Sequence, residues 1–229
     1  MIECVLESFG LDNVFDRTKI YDTPAVSTEL LDNDPDRAPC LQSWNYRSAV
    51  GTLSYLQAMV RPDINFSAHH CAHFCNNPRQ QHKEAVKRIC RYLLRTKNKV
   101  LILTPDKYCG LGCFVDADWA GSWQDRSSND PLSAHSRSGY VIMFAGCPII
   151  WGSKMQYLIS LSTTEVEYIA LSSSLCEVIY VLNILNEFKL RNSYSIIPLL
   201  LSSVISLKTI KVTLRSPPTI KLVREQRIP

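Results

Sequence analysis

The sequence predicts an α/β chain, in which a helical segment precedes a β-sheet that carries one long packed helix. Three observations predict it. Apolar residues recur at helical spacing from Trp44 to about Lys97, the pattern becomes strand-like after Pro105, and a capped apolar helix begins near Thr163. Strands followed by a helix that packs on them form an α/β sandwich.

Residues 1–45 open with a short amphipathic stretch (Ile2, Val5, Leu6, Phe9, Leu11). A connector rich in Pro and Asp follows, with Pro24, Pro35, Pro39 and the run from Asp32 to Asp36. Residues 46–105 read as a helical segment broken at Arg61-Pro62-Asp63 and at Asn76-Asn77-Pro78. Its last helix sets Ala85, Ile89, Tyr92 and Leu93 on one side, and Lys83, Lys87, Arg88, Arg91 and Arg95 over much of the rest. Residues 109–190 form the α/β part. Gly112 to Asp118, Gly139 to Ala145 and Ile149 to Trp151 are rich in β-branched and aromatic residues and predict strands, with a polar loop from Ser122 to Arg137. Ser162 or Thr163 caps the helix that follows, whose apolar stripe is Leu171, Leu175, Val178, Leu182 and Leu185. Residues 191–229 contain seven Lys/Arg, no Asp, His, Gly or Ala, and no convincing amphipathic period, which predicts a divergent, disordered tail.

Composition narrows the function. At 46% hydrophobic and 20% charged residues, the 229-residue chain can bury a core. The N-terminal residues show neither the basic nor the apolar region of a secretory signal, and the longest apolar run, Ile196 to Leu207, holds Pro198 and is too short for a bilayer. Nine cysteines without a regular framework fit a reducing compartment. The expectation is an intracellular protein, cytoplasmic or nuclear, with no membrane partner and no small-molecule cofactor. Net charge is +4, but Arg79 to Lys99 holds eight Lys/Arg against Glu84 alone, a local +7. Such a block suits a polyanion such as nucleic acid, and it equally suits a solvated helix face.

The stretch FVDADWAG sets Asp116 and Asp118 two apart at a strand end, so both can point to one face of the sheet. Glu165 and Glu167 lie about 200° apart around the helix axis, and Glu167 is the one in line with the apolar stripe. An acid on a core-facing line is costly unless paired or bound to a metal, so Asp116 and Glu167, with Asp118 beside them, are candidates to hold Mg²⁺. The alternative is that Asp116 and Asp118 cap a strand end while Glu167 pairs with a lysine. His69, Cys71, His73 and Cys75 are zinc-type residues, but on one helix the two pairs would face opposite sides, which favours packing. Trp119, next to the acids, could stack on a substrate sugar or base.

In order along the chain, GTLSYL (Gly51 to Leu56), RPDI (Arg61 to Ile64), EAVKRICRYLLRT (Glu84 to Thr96), DADWAG, SRSGYVIMFAGCPIIW (Ser136 to Trp151) and LSTTEVEYIAL (Leu161 to Leu171) resemble copia-type retrotransposon Pol polyproteins. The resemblance runs from about Tyr46 to Leu190 and covers the end of the reverse transcriptase and the ribonuclease H segment. It implies a truncated ribonuclease H-like mixed sheet with a packed helix, behind a helical connection segment. It also implies Mg²⁺- or Mn²⁺-dependent hydrolysis of RNA in RNA–DNA hybrids, with the strand aspartate at Asp116 and the helix glutamate at Glu167. The family's polymerase aspartates lie upstream of everything here.

The family's next strand ends in an aspartate-asparagine pair that supplies a third ligand, and a histidine-bearing segment follows. This chain has no Asp after Asp130 and no His after His135. The resemblance therefore implies weakened metal binding and little or no cleavage. One hypothesis for the tail is a frameshift between about Leu190 and Ser206. Codons for Lys208-Thr209-Ile210-Lys211, read one base earlier after a G, can encode Glu-Asp-Asn-Lys, and the coding DNA in three frames decides it. Three readings stay open: an active hybrid nuclease, a non-catalytic nucleic-acid-binding remnant, and a product without function.

Overall fold

The computed structural model describes residues 21–26, 31, 38, 45–121, 123, 131–188, 199–202, 209–215 and 219–224. The amphipathic stretch at Ile2 to Leu11, the acidic run from Asp32 to Asp36 and much of the polar loop after Ser122 lie outside them. The chain divides into two compact units, the first holding the three N-terminal helices and the second holding the strands and the long helix.

In the first unit, α1 (Tyr46–Met59) starts where the Asn45 side chain accepts the Ser48 N–H at 3.1 Å. Its buried residues Tyr46, Ala49, Val50, Leu53 and Leu56 recur at helical spacing. Pro62 then opens a 3-10 turn, Pro62–Ile64, which leads into α2 (Asn65–Ala72), and a non-helical stretch joins it to α3 (Gln80–Arg95). At the start of α3, His82 Nδ1 accepts the Arg79 N–H at 2.9 Å, and the His82 ring stacks on Phe74 at 4.0 Å. Val86, Ile89, Cys90 and Leu93 close a core with Ile64, Ala68 and the α1 row. Each fully buried aliphatic side chain there contributes about 1.5–3 kcal/mol. The connector reaches this unit too, for Leu31 packs against the core and the Ala38 carbonyl accepts the Gln80 N–H at 3.1 Å.

Arg61 is buried and makes a two-pronged pair with Asp63, from Nε to Oδ1 at 2.9 Å and from Nη2 to Oδ2 at 2.7 Å. The same guanidinium donates to Thr96 Oγ1 at 2.6 Å, and the Tyr92 hydroxyl donates to Asp63 Oδ2 at 2.7 Å. The Arg-Pro-Asp turn therefore clamps the C-terminal end of α3. Burial works to raise the Asp63 carboxyl, but the hydrogen bonds from Arg61 and Tyr92 and the Arg61 charge outweigh it and hold the group below its usual range.

In the second unit, β1 (Leu111–Asp118), β2 (Arg137–Phe144) and β3 (Cys147–Met155) form an antiparallel meander in the order β1-β2-β3. The third strand is longer than the predicted Ile149 to Trp151, because pairing with β2 continues through Gly152, Ser153 and Lys154. Phe144 pairs with Cys147 across a two-residue turn, Ala145-Gly146, with φ of 51° and 78°, the backbone that matches the twist of a hairpin. Leu111, Cys113 and Val115 of β1 and Ile142 of β2 pack on Ala170, Leu171, Val178 and Val181 of α4 (Thr163–Glu187). Of the predicted stripe, Leu171 and Val178 are buried and Leu175, Leu182 and Leu185 are partly so.

The ladders among the described residues are all antiparallel. A two-residue hairpin can join only antiparallel neighbours, and β4 (Leu199–Ser202) lies beside β1 without sharing its ladder. In the tail, β4, β5 (Thr209–Arg215) and β6 (Thr219–Arg224) form a second antiparallel sheet. The architecture is mixed α/β, with four α-helices among the described residues.

Candidate functional site

Alternation along β1 sends Leu111, Cys113, Val115 and Ala117 to the face packed on α4, so Asp116 and Asp118 leave the strand on its other face. Asp116 stands opposite Gly139 and Asp118 opposite Arg137 in the β1–β2 ladder. Arg137 is buried, which pushes its guanidinium pKa down while the Asp118 charge pulls it up. Asp118 thus has a cation for a cross-strand neighbour, a pairing that competes with any metal-binding role. Beyond Asp118 the chain turns through Ala120, at a φ of 48°, whose N–H bonds to Ser136 Oγ at 3.2 Å. The Asp118 carboxylate folds over Gly121, where a Cβ would lie 1.8 Å from Oδ2. Trp119 is half-exposed, and its Nε1–H donates to the Ser160 carbonyl at 3.0 Å, two residues before the Ser162 cap of α4.

The two glutamates of α4 separate as their spacing requires. Ser162 caps the helix by accepting the Glu165 N–H at 3.2 Å, and Glu165 Oε2 accepts the Leu161 N–H at 2.9 Å, so the exposed Glu165 serves the helix start. Glu167 is half-buried one residue after the buried Val166. Sequence reasoning missed Gln156, which is buried at the end of β3. Its Nε2 donates to Ser138 Oγ at 2.9 Å and to the Val166 carbonyl at 3.0 Å, joining the sheet to the first turns of α4. The run SRSGYVIMFAGCPIIW carried Arg137 and Ser138 as motif letters, and only the strand register shows what they face.

Asp116, Asp118 and Glu167 offer the hard oxygen donors that suit Mg²⁺ or Mn²⁺. Among the described residues, however, no three His, Cys, Asp or Glu side chains gather as a metal-holding group. The donors fit such an ion in kind but are not gathered, since Asp116 and Asp118 leave β1 on the face away from α4, the helix that carries Glu167.

The basic helix departs most from expectation. Lys83, assigned to the charged face, is buried at 8% exposure, because it lies on the His82–Val86 side of α3. Lys87 pairs with Glu84 at 2.8 Å. Arg88, Arg91 and Arg95 meet the segment 21–26, with Arg88 and Arg91 over the Tyr21 ring and Arg95 paired with the Asp22 carboxylate. Sequence reading carries no signal for that contact, since the partners are more than sixty residues apart.

Two other groups resolve as packing. Cys71 and Cys90 lie in the first core, where burial pushes both thiols up to about 12. His69 meets His73 edge-on at 5.3 Å, and His70 packs between Phe66 and Phe74. Among the described residues α4 is the one helix long and apolar enough to cross a membrane by length and composition, and part of it is packed on the sheet.

No family model matches the chain, and no solved structure matches it. Curated relatives do. It is 35% identical over 146 residues to the retrovirus-related Pol polyprotein from transposon RE1 of Arabidopsis thaliana, covering 64% of this chain and 9% of that protein. It is 34% identical over 194 residues to the Pol polyprotein from transposon TNT 1-94 of Nicotiana tabacum, covering 82% of this chain and 14% of that protein. It is also 37% identical over 135 residues to the secreted RxLR effector protein 161 of Plasmopara viticola, covering 59% of this chain and 89% of that protein. The chain spans about a tenth of the length of the two Pol polyproteins. The ordered motifs and these relatives agree, and the chain belongs to the retrovirus-related Pol polyproteins of copia-type transposons, as a fragment of Pol.

Proposed function

We propose that this chain is the reverse transcriptase–ribonuclease H stretch of a transposon Pol polyprotein, and that it binds nucleic acid, RNA–DNA hybrid included, without cutting it. The family activity is metal-dependent hydrolysis of RNA in such hybrids, and the ribonuclease H-like assignment of residues 109–190 rests on the motifs. Support for binding is the +7 block from Arg79 to Lys99, which includes α3, since neutralising phosphates releases counterions. The observation that carries the absence of cleavage is the donor set. Phosphodiester hydrolysis of this class stabilises both the attacking and the leaving oxygen, normally with two ions held by clustered carboxylates. Here Asp116 and Glu167 match the family positions, Asp118 faces Arg137, and no Asp follows Asp130. The test is equilibrium binding of a labelled RNA–DNA hybrid at several salt concentrations, with product analysis in Mg²⁺ and in Mn²⁺. Salt-sensitive binding with intact RNA is expected. Binding that ignores salt, or cutting abolished by Asp116→Asn, would overturn the reading.

A further inference from the structure

Segment 21–26 is held on α3 by a particular set of groups. The Tyr21 ring lies 4.2 Å from the Arg88 guanidinium carbon and 5.9 Å from that of Arg91. The Asp22 carboxylate pairs with Arg95. Arg88 donates from Nε to the Thr23 carbonyl at 3.2 Å and from Nη2 to Thr23 Oγ1 at 2.9 Å. Arg88, Arg91 and Arg95 are spaced by three and four residues, so they share one face of α3 along two turns.

Consecutive residues thus present a flat π-system, an anion and a hydroxyl to a row of guanidinium groups. A nucleotide offers the same three features in its base, phosphate and sugar. Guanidinium planes stack on bases as they do on tyrosine, and they bind phosphate as they do carboxylate. Single strands expose their bases for such stacking, and duplexes do not. We propose that the Arg88–Arg91–Arg95 face of α3 is a binding surface for single-stranded nucleic acid, and that Tyr21-Asp22-Thr23 occupies it as an internal mimic of a nucleotide.

Each contact of the segment is weak by construction. The Arg88–Thr23 and Arg95–Asp22 contacts are exposed, and the Asp22 side chain is 82% exposed, so water and salt screen them. A polyanion that makes several such contacts at once displaces the segment, and the segment sets a threshold for binding. This inference rests on the proposal that α3 contacts nucleic acid and adds its substrate form and its internal competitor.

The experiment measures fluorescence anisotropy of a labelled single-stranded 20-nucleotide probe, at about 50 and 150 mM salt, with the whole chain. Tyr21→Ala leaves charge unchanged and is combined with Asp22→Asn, while Glu187→Gln on α4 controls for charge alone. A segment that covers the face most of the time lowers apparent affinity by the fraction left open. The double variant should therefore bind about five- to tenfold tighter than the wild type, and Glu187→Gln less than about twofold tighter. Tyr21→Phe with Asp22→Glu, which keeps ring and charge, should return the wild-type value and guards against misfolding of the double variant. Changing Arg88, Arg91 and Arg95 together to Gln should weaken binding in either background. If the double variant matches the wild type while the arginine variant weakens, the masking claim is wrong and the binding surface stands. If the arginine variant binds as the wild type does, the surface itself is wrong.

Discussion

Replacing Asp63 by Asn removes the counter-charge of the buried Arg61 while keeping the shape of the side chain. Arg61 loses one prong of a two-pronged pair, and the Tyr92 hydroxyl loses a charged acceptor. Breaking a fully buried pair costs about 3–5 kcal/mol. The Asp63 side chain is 38% exposed and water screens its side of the pair, which brings the expectation to about 2 kcal/mol. For a unit of this size that is a fall of about 8–16 °C in the melting transition of the helical unit. Far-UV circular dichroism at 222 nm follows it, against Arg61→Lys, which keeps the charge and loses the planar fork. The sign with pH is set by the depressed carboxyl of Asp63. Its stabilisation is present above the unfolded value of about 3.9, and is lost as pH falls through the lower folded value. The wild type should therefore lose stability below about pH 4 and the Asn variant should lose less. A variant within about 0.5 kcal/mol of wild type, with the same acid profile, would refute the clamp.

Three further outcomes follow from the geometry. Gly146→Ala forces an L side chain to a φ of 78° in the β2–β3 turn and should cost about 1–2 kcal/mol by urea unfolding; no loss would mean the turn rearranges freely. Gly152→Ala puts a Cβ 2.7 Å from the Tyr140 ring that lies across it, and should cost about 1–3 kcal/mol, with a cost near zero showing that the ring does not rest there. In thiol labelling of the native protein at pH 8, the exposed Cys176 should react first among the described cysteines, and Cys71 and Cys90, raised to about 12 in the core, only on unfolding; early labelling of Cys90 would contradict the packing.

The elements legible in the sequence are those whose burial repeats along one segment. The α1 row from Tyr46 to Leu56 and the row on α4 bury one side of a helix, so their spacing shows it. Pairings between distant residues leave no such trace. Helical spacing placed Lys83 with the arginines, yet only the packed helix shows that it lies on the buried side. Arg61-Pro62-Asp63 reads as a helix break, and its pairing with Tyr92 and Thr96 depends on where α3 ends. In the tail, the alternation of Ile210, Val212 and Leu214 and the pair Pro217-Pro218 before the next strand are the readable signals for β5 and β6. The sequence names the candidate acids but not their surroundings; that Arg137 faces Asp118 follows from strand register, which one sequence does not display.

The central claim is that a Pol fragment with Asp116 and Glu167 in the family positions binds hybrid without cutting it. The most direct measurement is cleavage of a labelled RNA–DNA hybrid in Mg²⁺ and Mn²⁺ by three proteins: this chain, its Asp116→Asn variant, and a version whose tail carries the one-base frame correction. Losing a preorganised electrostatic element of such a site commonly costs a factor of about 10² to 10³. The account predicts no difference between the first two proteins and metal-dependent cutting only by the third. Cutting by the uncorrected chain that Asp116→Asn abolishes would contradict it.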